Sequence, residues 1–134
     1  SAPAVAGTVP VLVRYGEGWS RQMWWPDTTW RWSRAERATV ILRNSTAQPV
    51  RVEFAFLAQS FHEREFRIEA DGRTIHRSRL PAARRIITLE NLELPPGETT
   101  LALVVSGEPS KADDGTSGEV RLKMEKPRVR IVGP

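Results

Sequence analysis

Apolar and polar positions alternate along most of this chain. Val50, Val52, Phe54 and Phe56 are separated by Arg51, Glu53 and Ala55, the two-residue period of a strand with one buried face. The same period runs through Phe66, Ile68 and Ala70, against Arg67 and Glu69, and stops at Asp71-Gly72. Asp-Gly between two alternating stretches predicts a tight hairpin, because a type I′ turn needs positive φ at both central residues. Arg73 to Arg77, with Ile75 inward, is then the return strand. Ile87 and Leu89 predict a short strand, and Leu94 leads into Pro95-Pro96-Gly97, a stop that no helix or central strand tolerates. Leu101, Leu103 and Val105 alternate again, and the apolar Val104 between them suggests a strand covered on both faces.

Upstream, Val11, Val13 and Tyr15 share one face of a strand, as do Ala38, Val40 and Leu42. Downstream, Val120, Leu122 and Met124 predict one strand, with Val129 and Ile131 a separate short piece behind Pro127. Residues 44–49 form a turn by composition, and residues 106–118, rich in Gly, Ser and Asp, read as a mobile solvated loop. Roughly eight to ten short strands with turns every 8–12 residues predict an all-β fold, a two-sheet antiparallel β-sandwich. The core should hold Val50, Val52, Phe54, Phe56, Phe66, Ile68, Leu101, Leu103 and Val105.

Length and composition narrow the picture. At 134 residues the chain is one domain by the usual prior, with residues 1–9 a linker and 10–134 the sandwich. A hydrophobic content of 40% and a charged content of 27% suit a globular domain. No apolar run approaches the roughly 18 residues of a membrane helix. There is no cysteine, which excludes disulfides, Cys-ligated zinc and thiol catalysis. The net charge of +4 comes from 17 Arg and only 3 Lys against the acids, a modest excess within the range of soluble domains.

The candidate chemistry concentrates in GWSRQMWWPDTTWRW, which holds all five tryptophans. Trp30 and Trp32, two residues apart, share a strand face and are expected to be buried in the sandwich core. Trp24 and Trp25 are adjacent and must point to opposite sides of an extended backbone, while Pro26 disfavours a helix through Trp25. At least one of the pair should therefore face solvent, with Trp19 the next most exposed. Indoles stack on the apolar faces of sugar rings, and Arg21, Gln22 and Asp27 are interleaved with them to meet hydroxyls. The candidate ligand-binding residues are therefore Trp19, Trp24, Trp25, Arg21, Gln22 and Asp27. Plugging the end of a sandwich is the other use for such a segment.

Other chemistries find little support. His62 and His76 lack metal-ligand spacing, and Ser60 with His62 has no orienting acid or oxyanion framework. Asp113 and Asp114 sit before Gly115 in a loop with Glu108 and Glu119 nearby, but adjacent aspartates diverge, whereas calcium wants about 6–8 oxygen ligands. The glutamates alternate with arginines as cross-strand ion pairs do. Arg77, Arg79, Arg84 and Arg85 form the densest basic cluster, without the interleaved aromatics of a nucleic-acid groove.

The order of signals resembles a known family. GWS…WRWS leads to ATVILRN, PVRVEFAF, the hairpin FRIEADGRTIHRSRLP and then LPPGETTLALVVSGEP. This is similar to the jelly-roll accessory domain of bacterial glycosyltransferases and related polysaccharide-assembly proteins, over about residues 15 to 108. The resemblance implies a carbohydrate-binding-module-like sandwich outside the cytoplasm, in the periplasm or at the cell surface. It carries over no catalytic residues. The resulting expectation is a non-catalytic binding module, not an enzyme, attached to a larger envelope or glycan-processing protein. Its ligand would be carbohydrate, its partners other domains of that protein, and it would use no cofactor, metal or nucleic acid. The alternative is a structural or protein-interaction sandwich with no glycan ligand.

Overall fold

The alternating stretches are strands in the computed structural model, which describes residues 10–133; none of these residues is helical. The expected linker over residues 1–9 lies outside the described residues. In chain order the strands are β1 (Val11–Tyr15), β2 (Met23–Trp25), β3 (Thr28–Trp32), β4 (Arg37–Asn44), β5 (Val50–Gln59) and β6 (Arg64–Ala70). They continue with β7 (Arg73–Leu80), β8 (Arg85–Leu94), β9 (Gly97–Val105), β10 (Ser110–Lys111), β11 (Glu119–Val120) and β12 (Lys123–Gly133). One five-stranded antiparallel sheet has the order β1-β4-β9-β6-β7, and the other β2-β3-β12-β5-β8. The two form an antiparallel, jelly-roll-like sandwich, with β10 and β11 as a separate small ribbon.

The alternation found in the sequence sorts side chains onto the inner faces as expected. Val52, Phe54, Phe56, Phe66, Ile68, Leu101, Leu103 and Val105 are all buried in one cluster. Phe56 sits between Phe54 and Phe66, with ring centroids 5.5 and 6.3 Å away. Val50 is only half-buried, because it opens β5 at the end of the sheet. Ala102 and Val104 are buried on the other face of β9, so this strand is covered on both sides. The β6–β7 turn has Asp71 at φ 51° and Gly72 at φ 75°, the positive pair a type I′ hairpin requires.

Two expectations at the C-terminal end need correction. Val120 to Met124 is not one strand: it breaks between β11 and β12, and Val120 joins a different apolar cluster from Leu122 and Met124. Pro127 does not separate a last short piece, because β12 runs through it. A register shift between Glu125 and Arg128 against β5, with Lys126 at φ 51°, forms a bulge that absorbs the missing N–H. β8 likewise extends well beyond Ile87 and Leu89, turning on a bulge where Asn91 takes φ 54°.

The segment before β2 is tied to both sheets. Thr39 N donates to Glu17 O, Gly16 N donates to Thr39 O, and Arg34 N donates to Gly18 O. At Gly18, where φ is 91°, a Cβ would lie 2.8 Å from Arg37 O, so a side chain cannot replace this glycine without moving β4. Ser20 Oγ accepts from Trp32 N at 3.0 Å, which fixes the start of the tryptophan segment against β3.

Candidate functional site

β2 and β3 form a hairpin joined by Pro26-Asp27, and Pro presets the φ that such a turn needs. Its register decides where every indole goes. Residues paired across antiparallel strands share a face. Arg31 pairs with Met124, which pairs with Ala58, and both partners belong to the main core. Trp30 pairs with Glu125, and Trp32 with Lys123, so both indoles lie on the opposite, outer face of the second sheet. They are buried as expected, at 3% and 4% exposure, but not in the sandwich core. Instead they form a second cluster with Val120, flanked by Met23 and Ala112.

What covers them is the loop read from sequence as mobile and solvated. Asp114 Oδ2 accepts from Trp30 Nε1 at 2.8 Å and from Trp32 Nε1 at 2.7 Å, while its Oδ1 accepts from Thr116 N at 3.0 Å. Burial pushes the Asp114 carboxyl up, but the hydrogen bonds from Trp32, Thr116 and Trp30 outweigh it and bring the pKa down to about 2. Asp114 is therefore an anchor rather than a solvated loop residue. Asp113, beside it, is exposed.

The loop is held at its ends as well. β10 pairs with β11, and Arg121 donates to the carbonyls of Val105 and Gly107. The buried Arg64 guanidinium donates through Nε to Ser60 Oγ at 2.7 Å and through Nη2 to Ser110 Oγ at 3.1 Å. Burial, and then Arg121, push its pKa down, with Glu108 opposing. Ser60 and His62 are thus partners of Arg64, not a nucleophile and base.

Beside this strap, Arg21, Met23, Trp24, Trp25, Pro26, Trp30 and Asp114 line an open groove of about 450 Å³. Trp25 pairs with Thr28 and so lies on the face of Trp30, with ring centroids 6.5 Å apart. Trp24 pairs with Thr29 and points to the other side of the hairpin. Both indoles are exposed, Trp24 at 67% and Trp25 at 66%.

Of the residues expected from sequence, the groove gathers Arg21, Trp24 and Trp25. Gln22 and Asp27 are exposed but do not line it. Trp19 lies elsewhere: its Nε1 donates to Thr39 O at 2.7 Å, and its ring meets Tyr15 edge-on at 5.0 Å. It is half-buried against the main core, the next most exposed indole after the pair. Met23, Pro26, Trp30 and Asp114 are lining residues that sequence reasoning did not assign. Period two could have suggested Met23, which is two residues from Trp25. Nothing local signals Asp114, which reaches the site from 84 positions beyond Trp30.

Among the described residues no group of three or more His, Cys, Asp or Glu is gathered to hold a metal ion. His62 is exposed, and His76 packs edge-on against Phe66 with Ser78 Oγ 3.0 Å from its Nε2. No helix among the described residues is long and apolar enough to cross a membrane.

No family model matches the chain, and no curated protein matches it. Several solved structures share the sandwich. A Podospora anserina GH26-CBM35 β-(1,4)-mannanase aligns at 8% identity and TM-score 0.50, over 89% of this chain and 28% of its own. A family two carbohydrate esterase from Clostridium thermocellum, in an active-site mutant form, aligns at 13% identity and TM-score 0.50, over 90% of this chain and 32% of its own. The CBM36-1 domain of a multidomain xylanase from the hindgut metagenome of Trinervitermes trinervoides aligns at 10% identity and TM-score 0.48, over 92% of this chain and 98% of its own. The chain spans about a third of the esterase and less of the mannanase. At these identities the likeness describes the fold.

Proposed function

We propose that this chain is a non-catalytic carbohydrate-binding module, carried outside the cytoplasm by a larger glycan-processing or envelope protein. The observation that carries the reading is the pair Trp24 and Trp25. Two adjacent indoles about two-thirds exposed, on a ribbon that holds two others buried, are costly to keep in water unless they are used. Trp25 offers apolar surface to a sugar ring, with the buried Trp30 packed behind it, and Arg21 and Asp114 bring a donor and an acceptor to its hydroxyls. Structures that share the sandwich, among them the mannanase and the esterase named above, act on carbohydrate, which supports the class of ligand. Attachment to polysaccharide-assembly enzymes rests on the sequence resemblance alone.

The test is a glycan array on the isolated domain, followed by Trp25→Ala and Trp24→Ala. Trp25→Ala should remove most binding and Trp24→Ala part of it, since a stacked ring is worth about 1–3 kcal/mol by analogy with bases on aromatic side chains. Both variants should melt within a few degrees of the parent. A domain that binds no glycan, with variants that lose several kcal/mol of stability, would return the segment to a purely structural role.

A further inference from the structure

The groove ends at the strap, but the aromatic surface does not. On the far side of Asp114 a second depression of about 200 Å³ opens, lined by Trp32, Gln59, Ser60, Phe61, Asp113 and Lys123. By register Trp32, Lys123 and Gln59 form one row across β3, β12 and β5, on the same outer face as Trp30. Phe61 stacks on Trp32 with centroids 5.2 Å apart and planes 8° from parallel. Phe61 is 39% exposed, so it covers Trp32 with one ring face and leaves the other available. The two depressions are thus built alike: an exposed aromatic ring resting near a buried indole, with one cation and one carboxylate beside it. Arg21 and Asp114 serve the first, Lys123 and Asp113 the second.

We infer that the depression at Phe61 is a second subsite, and that the module binds an extended, neutral oligosaccharide whose rings occupy both sides of the strap. This rests on the carbohydrate reading above. Trp30 and Trp32 are buried two residues apart on one strand, and the exposed rings that flank them, Trp25 and Phe61, are on the order of 15 Å apart, more than one sugar ring covers. Neutrality follows from charge. Each depression holds one acid beside one base, so neither offers the net positive charge that the repeated carboxylates of a polyanion would need. Because Asp114 is fixed to both buried indoles, it also holds its neighbour Asp113 over the second depression.

Calorimetry with cello-, xylo- and manno-oligosaccharides of graded length, and with oligogalacturonides as the acidic series, tests this. For the parent domain, affinity for one neutral series should climb with chain length beyond the disaccharide. Phe61→Leu, which still covers Trp32, and Gln59→Ala should each cut that length-dependent gain about tenfold while leaving disaccharide affinity within about twofold. Trp25→Ala should weaken every length. Retained Trp25-dependent binding with an undiminished length gain in both variants overturns the second subsite alone. Oligogalacturonides binding more tightly than every neutral chain overturn the neutrality. A parent domain that binds none of the series overturns the carbohydrate reading and the subsite with it.

Discussion

Asp114 shows how much one side chain can hold. A single carboxylate oxygen accepts from two buried indole N–H groups, so its loss leaves two donors without a partner in an apolar cluster. Asp114→Ala should cost about 2–3 kcal/mol, the range for charged hydrogen bonds left unmade, and should raise the accessibility of Trp30 and Trp32 to acrylamide. Asp113→Ala should change stability by less than about 0.5 kcal/mol, as exposed positions do. Chemical denaturation of the two variants separates them, and equal effects would contradict the anchor. The pH dependence follows from the lowered pKa of Asp114, about 2 against an ordinary 3.8. A depressed carboxylate contributes its stability fully above the unfolded value and loses it as pH falls through the folded one. Tryptophan emission should therefore stay constant down to about pH 4 and shift red as the pH approaches 2, and the shift should be absent in Asp114→Ala.

At the level of strands, the alternation translated directly into buried faces where both sheets cover each other. Phe54 is wholly buried between Phe56 and the facing sheet, so Phe54→Ala should cost roughly 3–5 kcal/mol in denaturation experiments. A midpoint that hardly moves would place that face outside. The β2–β3 hairpin is held differently. β3 joins β12 through three residue pairs, Lys123 to Glu125, and among the described residues β2 has no strand on its other side. Its amides should exchange with deuterium faster than those of β5, which is paired along both edges. What sequence could not supply was the identity of each burial partner. Period two places Trp30 and Trp32 on one face but does not say which face, and either would bury them. Pro127 reads as a terminator because a bulge in the middle of a strand has no local signature of its own. Asp114 reads as a loop acid because its partners are two indoles more than eighty residues away.

Over the whole molecule, the two apolar clusters divide the labour. The main core lies between the sheets and includes residues from β1, β4, β5, β6, β7, β8, β9 and β12. The smaller one, of Trp30, Trp32 and Val120, lies outside the second sheet and is closed by the strap. Two exposed aromatic rings, Trp25 and Phe61, rest against indoles of this second cluster, and only Trp19 of the expected set belongs with the first. Sequence patterning resolved much of the first cluster, since strand alternation determines it, but Ala58 and Leu80 joined it unassigned. The second depends on a long loop returning to a particular strand, which is a property of topology. Ions are arranged accordingly: Glu125 is buried on the outer face, accepting from Thr28 Oγ1 at 3.1 Å with Arg84 and Lys123 at 3.3 and 3.5 Å. Lys123 Nζ also lies 4.5 Å from the centre of the Trp30 ring. Glu125→Ala should thus loosen the floor between both depressions, lowering affinity for long chains more than for short ones.

The short seam between β3 and β12 has a consequence for how such a domain can diversify. A ribbon attached by so few rungs, its buried indoles in a small apolar cluster apart from the main core, is in effect an exchangeable cassette. Residues 24–27, between the anchoring Met23 and Thr28, could be rewritten, lengthened or transplanted from another chain while the scaffold beneath continues to fold. New ligand preferences would then arise by altering the overhang alone, a route closed to proteins whose binding residues double as core.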